Sequence, residues 1–160
     1  MNDKQKLQLE EQIEELEAVR GRHTELVTVM IPVDFNIHRV TKQLEAERST
    51  ADNIKSKATR SAVTDSIDMI VRFLKGTKQT PPNGLALYAG NISEKEGISD
   101  IKLWAIEPPK PLRVRMYRCD QVFVTEPLRE MLQTDEVYGL IVIDRQEATL
   151  GLLEGKQIKV

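Results

Sequence analysis

The 160 residues carry 30% charged and 40% hydrophobic side chains, a net charge of −2 and a pI near 5.8, which suits one soluble domain with a sizeable core and excludes a disordered chain. The same balance excludes a protein that coats nucleic acid by bulk phosphate neutralisation, so any RNA contact must come from a local patch. No run approaches the ~18 apolar residues of a membrane helix, the start MNDKQKLQLEEQIEELEAV is too charged for a signal peptide, and the lone Cys119 excludes an intrachain disulfide and a multi-cysteine zinc site. The expected compartment is the cytoplasm.

Residues 3–20 predict a charged helix with Leu9, Ile13 and Leu16 at helical spacing, ended by Gly21. Thr24 to Pro32 reads as a strand, rich in β-branched residues and stopped by proline. A second helix is expected from about Asn36, with Ile37, Val40 and Leu44 on one stripe, broken by the STADN stretch. A long helix then runs from about Asn53 to Lys75 on Ile54, Ala58, Ala62, Ile67, Ile70, Val71 and Leu74. So short a break makes the two helices an antiparallel hairpin. PPNG (Pro81 to Gly84) is turn chemistry, followed by strands over Leu85 to Ile92 and Ile101 to Ile106. Val114 to Val124 is extended, with a bend near Asp120, and Glu126 to Leu132 is a short helix. Gly139 to Asp144 and Ala148 to Leu153 predict a β-hairpin around Arg145-Gln146-Glu147. The expected fold is α+β: a four-stranded, mainly antiparallel sheet packed with helices, a protruding helical hairpin and an extra C-terminal β-hairpin.

Four groups of residues could carry function. Arg48, Lys55, Lys57 and Arg60 face only Asp52 in sequence and form a candidate basic patch; a solvated helix face is the plainer reading. Asn53-Ile54-Lys55-Ser56 is expected to open the long helix, with Ser49, Thr50 or Asp52 as its cap. Ile54 should point inward and Asn53, Lys55, Ser56 and Arg60 outward, where free N–H groups beside a lysine suit a phosphate or base edge. Glu47 occupies the next position of the Ile37, Val40, Leu44 stripe, as helix-end fringe or as a fixed acceptor for base amino groups. In YRCDQVF, a period of two puts Tyr117, Cys119 and Phe123 on one strand face, either plain core or a surface for stacking unpaired bases. His23 and His38 have no second ligand nearby, and no Walker loop, nucleophile elbow or H-E-x-x-H is present, so neither metal nor cofactor is expected.

Together these pieces resemble the archaeal and eukaryotic-type class I translation release factors. Asn53-Ile54-Lys55-Ser56 matches that family's NIKS motif, and Tyr117, Cys119 and Phe123 match YxCxxxF at a fitting distance. Pro81 to Leu85 and Gly139 to Asp144 are also similar, so the resemblance covers nearly everything after Gly21. It implies a stop-codon-recognition domain that enters the ribosomal decoding site and reads UAA, UAG and UGA in mRNA. Asn53 and Lys55 would lie near the first-position uridine, Glu47 and Tyr117 would address the purines, and Cys119 and Phe123 would shape that pocket. Thr24 matches the centre of the eukaryotic GTS motif, but its neighbours are His23 and Glu25. The family's Gly-Gly-Gln release motif lies in the following domain and is absent from these residues, so the chain is expected not to be an enzyme. A translational GTPase would be met through domains outside this sequence. The rival readings are a carboxylate-based nuclease or hydrolase, a helical-hairpin protein-interaction module, and an mRNA-surveillance paralogue of release factors.

The resemblance also divides the chain into a codon-reading domain, residues 1–134, and the β-hairpin of 135–160 that would begin the next domain. That hairpin is apolar on both faces, through Leu140 to Ile143 and then Leu150, Leu152 and Leu153. Such a strand expects cover on both sides, and an isolated hairpin is marginal in water. Left uncovered, it should drive self-association. Truncation near Gln133 should therefore give a soluble monomer that keeps the melting transition of residues 1–133, read by light scattering and thermal melting. Loss of that transition would place the hairpin in the first domain's core.

Overall fold

In the computed structural model, residues 1–133 are described, and they form a four-stranded antiparallel sheet covered by helices on both faces. The expected C-terminal hairpin lies outside the described residues. Chain order is α1 (Asp3–Glu17), β1 (Leu26–Ile31), α2 (Ile37–Ala51), α3 (Lys57–Lys75), β2 (Leu85–Asn91), β3 (Ile101–Ile106) and β4 (Met116–Asp120). Residues 126–133 are also helical and form α4. The sheet order is β3-β2-β1-β4. All six residues of β1 are buried, as are the first six of β2, whereas the edge strands β3 and β4 are mostly half-buried.

Side-chain alternation sorts the core into two layers. On one face Val27, Val29 and Ile31 of β1 and Leu85, Leu87 and Ala89 of β2 meet Val40 and Leu44 of α2 and Val63, Ile67, Ile70 and Leu74 of α3. On the other, Leu26, Met30, Ala86 and Tyr88 meet Leu9, Ile13 and Leu16 of α1 and Leu128, Met131 and Leu132 of α4. The α2–α3 pair is antiparallel, tied by Arg48 to Asp68 at 2.5 Å and Lys75 to Glu45 at 3.5 Å. Because two helices run out and back between β1 and β2, the strands emerge antiparallel, where a single crossover helix would leave them parallel.

The element boundaries depart from expectation at several places. α1 stops at Glu17 rather than at residue 20, with Ala18 as its C-cap. Thr24 and Glu25 precede β1 instead of opening it. The STADN stretch does end α2, though only after Ala51, because the Ser49 and Thr50 hydroxyls donate to the carbonyls of Glu45 and Ala46 within the helix. α3 begins at Lys57, not Asn53.

Two turns lock the sheet's frame. Gly21 N–H donates to Gln121 O (2.8 Å) and the Gln121 amide returns to Gly21 O (3.1 Å), joining the chain before β1 to the chain after β4. In the PPNG turn, Gly84 N–H donates to Pro81 O, and Gly84 has φ +89°. A Cβ there would lie 2.5 Å from Ile31 O, a fixed backbone atom. Gly84→Ala should therefore destabilise the chain by about 1–3 kcal/mol, seen as a lower urea midpoint; an unchanged midpoint would contradict this backbone conformation.

Candidate RNA-binding site

The α2–α3 turn, residues 52–56, leaves Asp52, Asn53, Lys55 and Ser56 exposed, while Ile54 is half-buried against the core layer beneath α2 and α3. The inward Ile54 and outward Asn53, Lys55 and Ser56 agree with the sequence reading. Their setting does not, because these residues form the turn itself rather than the first turn of a helix. Ser56 is the N-cap of α3, its hydroxyl accepting from Thr59 N–H, so the free helix-start amides fall at Lys57 and beyond. Several cap candidates crowd this stretch, and the sequence alone does not rank Ser56 above Ser49, Thr50 or Asp52.

The expected basic patch divides into two pairs. Arg48 is taken up by Asp68, and the Arg60 guanidinium donates to Ile54 O at 2.8 Å, folding back across the turn. Arg60 thus holds the turn's shape, a role not visible in sequence, where it reads as one more surface cation. Lys55 and Lys57 are the exposed charges of the group.

Glu47 lies half-buried on α2, in the seam between that helix and the edge strand β4, close enough for its charge to act on Tyr117 and Cys119. Tyr117 and Cys119 project from β4 into the same layer, with Tyr117 Oη 3.1 Å from Cys119 Sγ. Burial first, then the bond to Cys119, and then the nearby Glu47 charge push the Tyr117 hydroxyl well above the ordinary phenol range. Burial likewise raises the Cys119 thiol; the bond from Tyr117 opposes this and the Glu47 charge adds to it. The phenol and thiol are therefore neutral at pH 7, presenting hydroxyl and sulfhydryl groups beside one carboxylate. Such a set can donate to and accept from base edges.

Phe123 does not share this face. β4 ends at Asp120, the chain bends at 121–122, and the period of two is lost. Phe123 enters the opposite layer, edge-to-face with Tyr88 and Trp104, each centroid 5.3 Å away. Tyr88 then donates its hydroxyl to Val124 O at 2.8 Å, and Val124 N–H donates to the Thr28 hydroxyl at 3.1 Å. Phe123 therefore anchors the chain leaving β4 and does not line the Tyr117–Cys119 seam.

Thr24 is exposed on the bend before β1, at the same end of the sheet as the α2–α3 turn. A cleft of about 520 Å³ opens there, lined by Arg22, His23 and Glu25 together with Lys57 and Ser61 of α3 and Asn91 after β2. The buried Glu25 carboxylate accepts from His23 N–H at 2.8 Å, which fixes the bend around Thr24. Among the described residues no group of three or more His, Cys, Asp or Glu side chains is placed to hold a metal ion, and no helix is long and apolar enough to cross a membrane.

Residues 4–133 match the family described as eRF1 domain 1. The chain is 57% identical over 153 residues to the peptide chain release factor subunit 1 of Thermococcus kodakarensis, covering 96% of this chain and 37% of that protein. Its counterpart in Pyrococcus abyssi is 55% identical over 159 residues, with 99% and 38% covered. The chain thus spans well under half the length of these curated relatives. Among solved structures, the crystal structure of the archaeal translation termination factor aRF1 superposes with a TM-score of 0.72 at 35% identity, covering 79% of this chain and 34% of that one.

The juxtaposition of Glu47 with Cys119 can be measured directly. Cys119 should alkylate with a pH midpoint above the usual thiol value of about 8.5. Glu47→Gln removes a negative charge that disfavours the thiolate, so it should move that midpoint down. Superimposable pH–rate profiles for the two proteins would mean that Glu47 lies away from the seam.

Proposed function

The chain belongs to the eRF1 domain 1 family, and from that premise we propose that it recognises the stop codons UAA, UAG and UGA of mRNA in the ribosomal decoding site. The observation that carries this reading is the meeting of Glu47, Tyr117 and Cys119 in one seam at the end of the sheet that also bears the exposed 53–56 turn. Lys55 and Asn53 on that turn are assigned to the first-position uridine, shared by all three codons. Ile54 anchors the turn in the core and Ser56 caps the helix behind it. Glu47 and Tyr117 are assigned to the purines, with Cys119 completing the wall. The carboxylate accepts from exocyclic amino groups, and the neutral phenol donates or accepts. Phe123 contributes indirectly, by holding the chain that follows β4. Thr24 is assigned to the rim of the same site, on a bend fixed by Glu25.

The assigned part in termination is recognition rather than peptide release, and the chain itself is not an enzyme. The domain boundary falls at about residue 134, which the end of the family match at residue 133 supports. Residues 135–160 then begin the domain that promotes peptidyl-tRNA hydrolysis, and a translational GTPase is a partner of the longer protein. The place of action is the cytoplasm, on the ribosome. Self-association of the isolated chain is assigned to residues 135–160.

Lys55→Ala changes an exposed residue, so folding stability should move by less than about 0.5 kcal/mol. Placed in a full-length factor it should impair termination at all three stop codons alike, whereas Glu47→Gln should alter the preference among them and against UGG. A reconstituted release assay separates the two. Normal release by the Lys55 variant, or loss at one codon only, would remove Lys55 from the shared uridine.

A further inference from the structure

The seam that holds Glu47 and Tyr117 continues away from the turn, and its chemistry changes along the way. Phe35, Arg39, Gln43 and Glu47 recur every fourth residue, so they form one ridge from the loop before α2 up its length. Arg115, two residues before Tyr117, faces this ridge. Its guanidinium donates to the Gln43 amide oxygen and stacks on the Phe35 ring with 4.6 Å to the centroid. Arg39 lies over the same ring at 5.3 Å. Both arginines are exposed, and these neutral contacts orient the guanidiniums without taking up their charge. The carbonyl of Phe35 also accepts from the Thr80 hydroxyl, which pins the backbone under the ring.

One end of the seam therefore offers a carboxylate with a neutral phenol and thiol, and the other offers two pre-oriented guanidiniums. The first set suits base edges and repels phosphate. The second suits phosphate oxygens, which Arg binds through a planar fork. The step from Glu47 to Gln43 is one helical turn, and that from Tyr117 to Arg115 two strand residues, each about 6 Å. A strand of RNA read at Glu47 and Tyr117 would carry its next phosphates to Arg115 and Arg39.

We propose that Arg39 and Arg115, held on Phe35 and Gln43, grip the backbone of the message just 3′ of the stop codon. This rests on the function proposed above, in which the 53–56 turn takes the first base and the seam takes the purines. The message then runs from the turn along the seam, so the contact would lend affinity to the nucleotides that follow the codon without reading their bases.

The test measures binding of the 160-residue chain to archaeal ribosomes carrying UAA or a sense codon in the decoding site. Two messages are used, one ending at the third codon base and one extending well beyond it. Wild type should bind the extended UAA message more tightly than the truncated one. The double variant Arg39→Ala/Arg115→Ala should lose about tenfold on the extended message, match wild type on the truncated one, and keep its preference for UAA. Its salt dependence on the extended message should be shallower by about 1.4 in log–log slope, for two single-strand phosphates. Arg39→Lys/Arg115→Lys, which keeps the charges, should retain most of that slope, and thermal melting of both variants controls for folding. Equal losses on both messages would assign the arginines to another anion, such as ribosomal RNA, and overturn the proposal, as would no loss on either. A wild-type chain blind to the codon would instead overturn the codon-reading function itself.

Discussion

A strand whose six residues are all buried must be paired along both edges and covered on both faces. β1 is that strand, and its burial organises the molecule. β2 and β4 pair with it, α2 and α3 cover one face, and α1 and α4 cover the other. Leaving any side open would expose unpaired backbone groups or a row of aliphatic side chains, each a cost comparable to the net stability of a small domain. Because α2 and α3 form one returning pair, their turn must project at the end of the sheet where β1 begins. That geometry brings residues 52–56, the bend at Thr24 and the end of β4 to one end of the molecule.

The site divides its labour between fixed and free groups. Ile54, Ser56 and Arg60 give the turn one shape through a core contact, a helix cap and a guanidinium bond to the Ile54 carbonyl. With those in place Asn53 and Lys55 stay exposed, available to the RNA they are proposed to meet. The seam works the same way: β4 is a half-buried edge strand, tied to β1 and to the residues around Gly21, so Tyr117 and Cys119 are held against Glu47 without being sealed from solvent. Preorganisation of this kind lowers the ordering cost of binding, which matters for a chain with too little net charge to hold RNA by bulk attraction.

Sequence periodicity revealed the core well. Leu9, Ile13 and Leu16, the Ile37, Val40, Leu44 stripe and Ala62, Ile67, Ile70 and Leu74 of the long helix are buried, Ile54 and Val71 are half-buried, Ala58 is exposed, and β3 has the expected limits. The misreadings share a cause, in that local chemistry overrode a regular period. Ser49 and Thr50 bond back into α2, so the expected break falls only after Ala51, and α3, capped by Ser56, starts at Lys57 rather than Asn53. The bend after Asp120 turned Phe123 from the face of Tyr117 to the opposite layer. Arg60 and Arg48 read as patch charges because no sequence rule shows which cations find a carbonyl or carboxylate at long range. The pairing of Arg115 with Gln43 and Phe35 was illegible for the same reason, since it joins elements that only the fold brings together.

The central claim is that the 53–56 turn meets the first base of the stop codon while the α2–β4 seam meets the bases after it. Photo-crosslinking tests it directly, with 4-thiouridine as the first base of a UAA codon in programmed ribosomes and the bound chain mapped by peptide mass. The account predicts that the crosslink falls within residues 53–56, and that a photoreactive purine at the second position moves it to α2 or β4. A first-base crosslink to α1 or to α4, on the far face of the sheet, would contradict it.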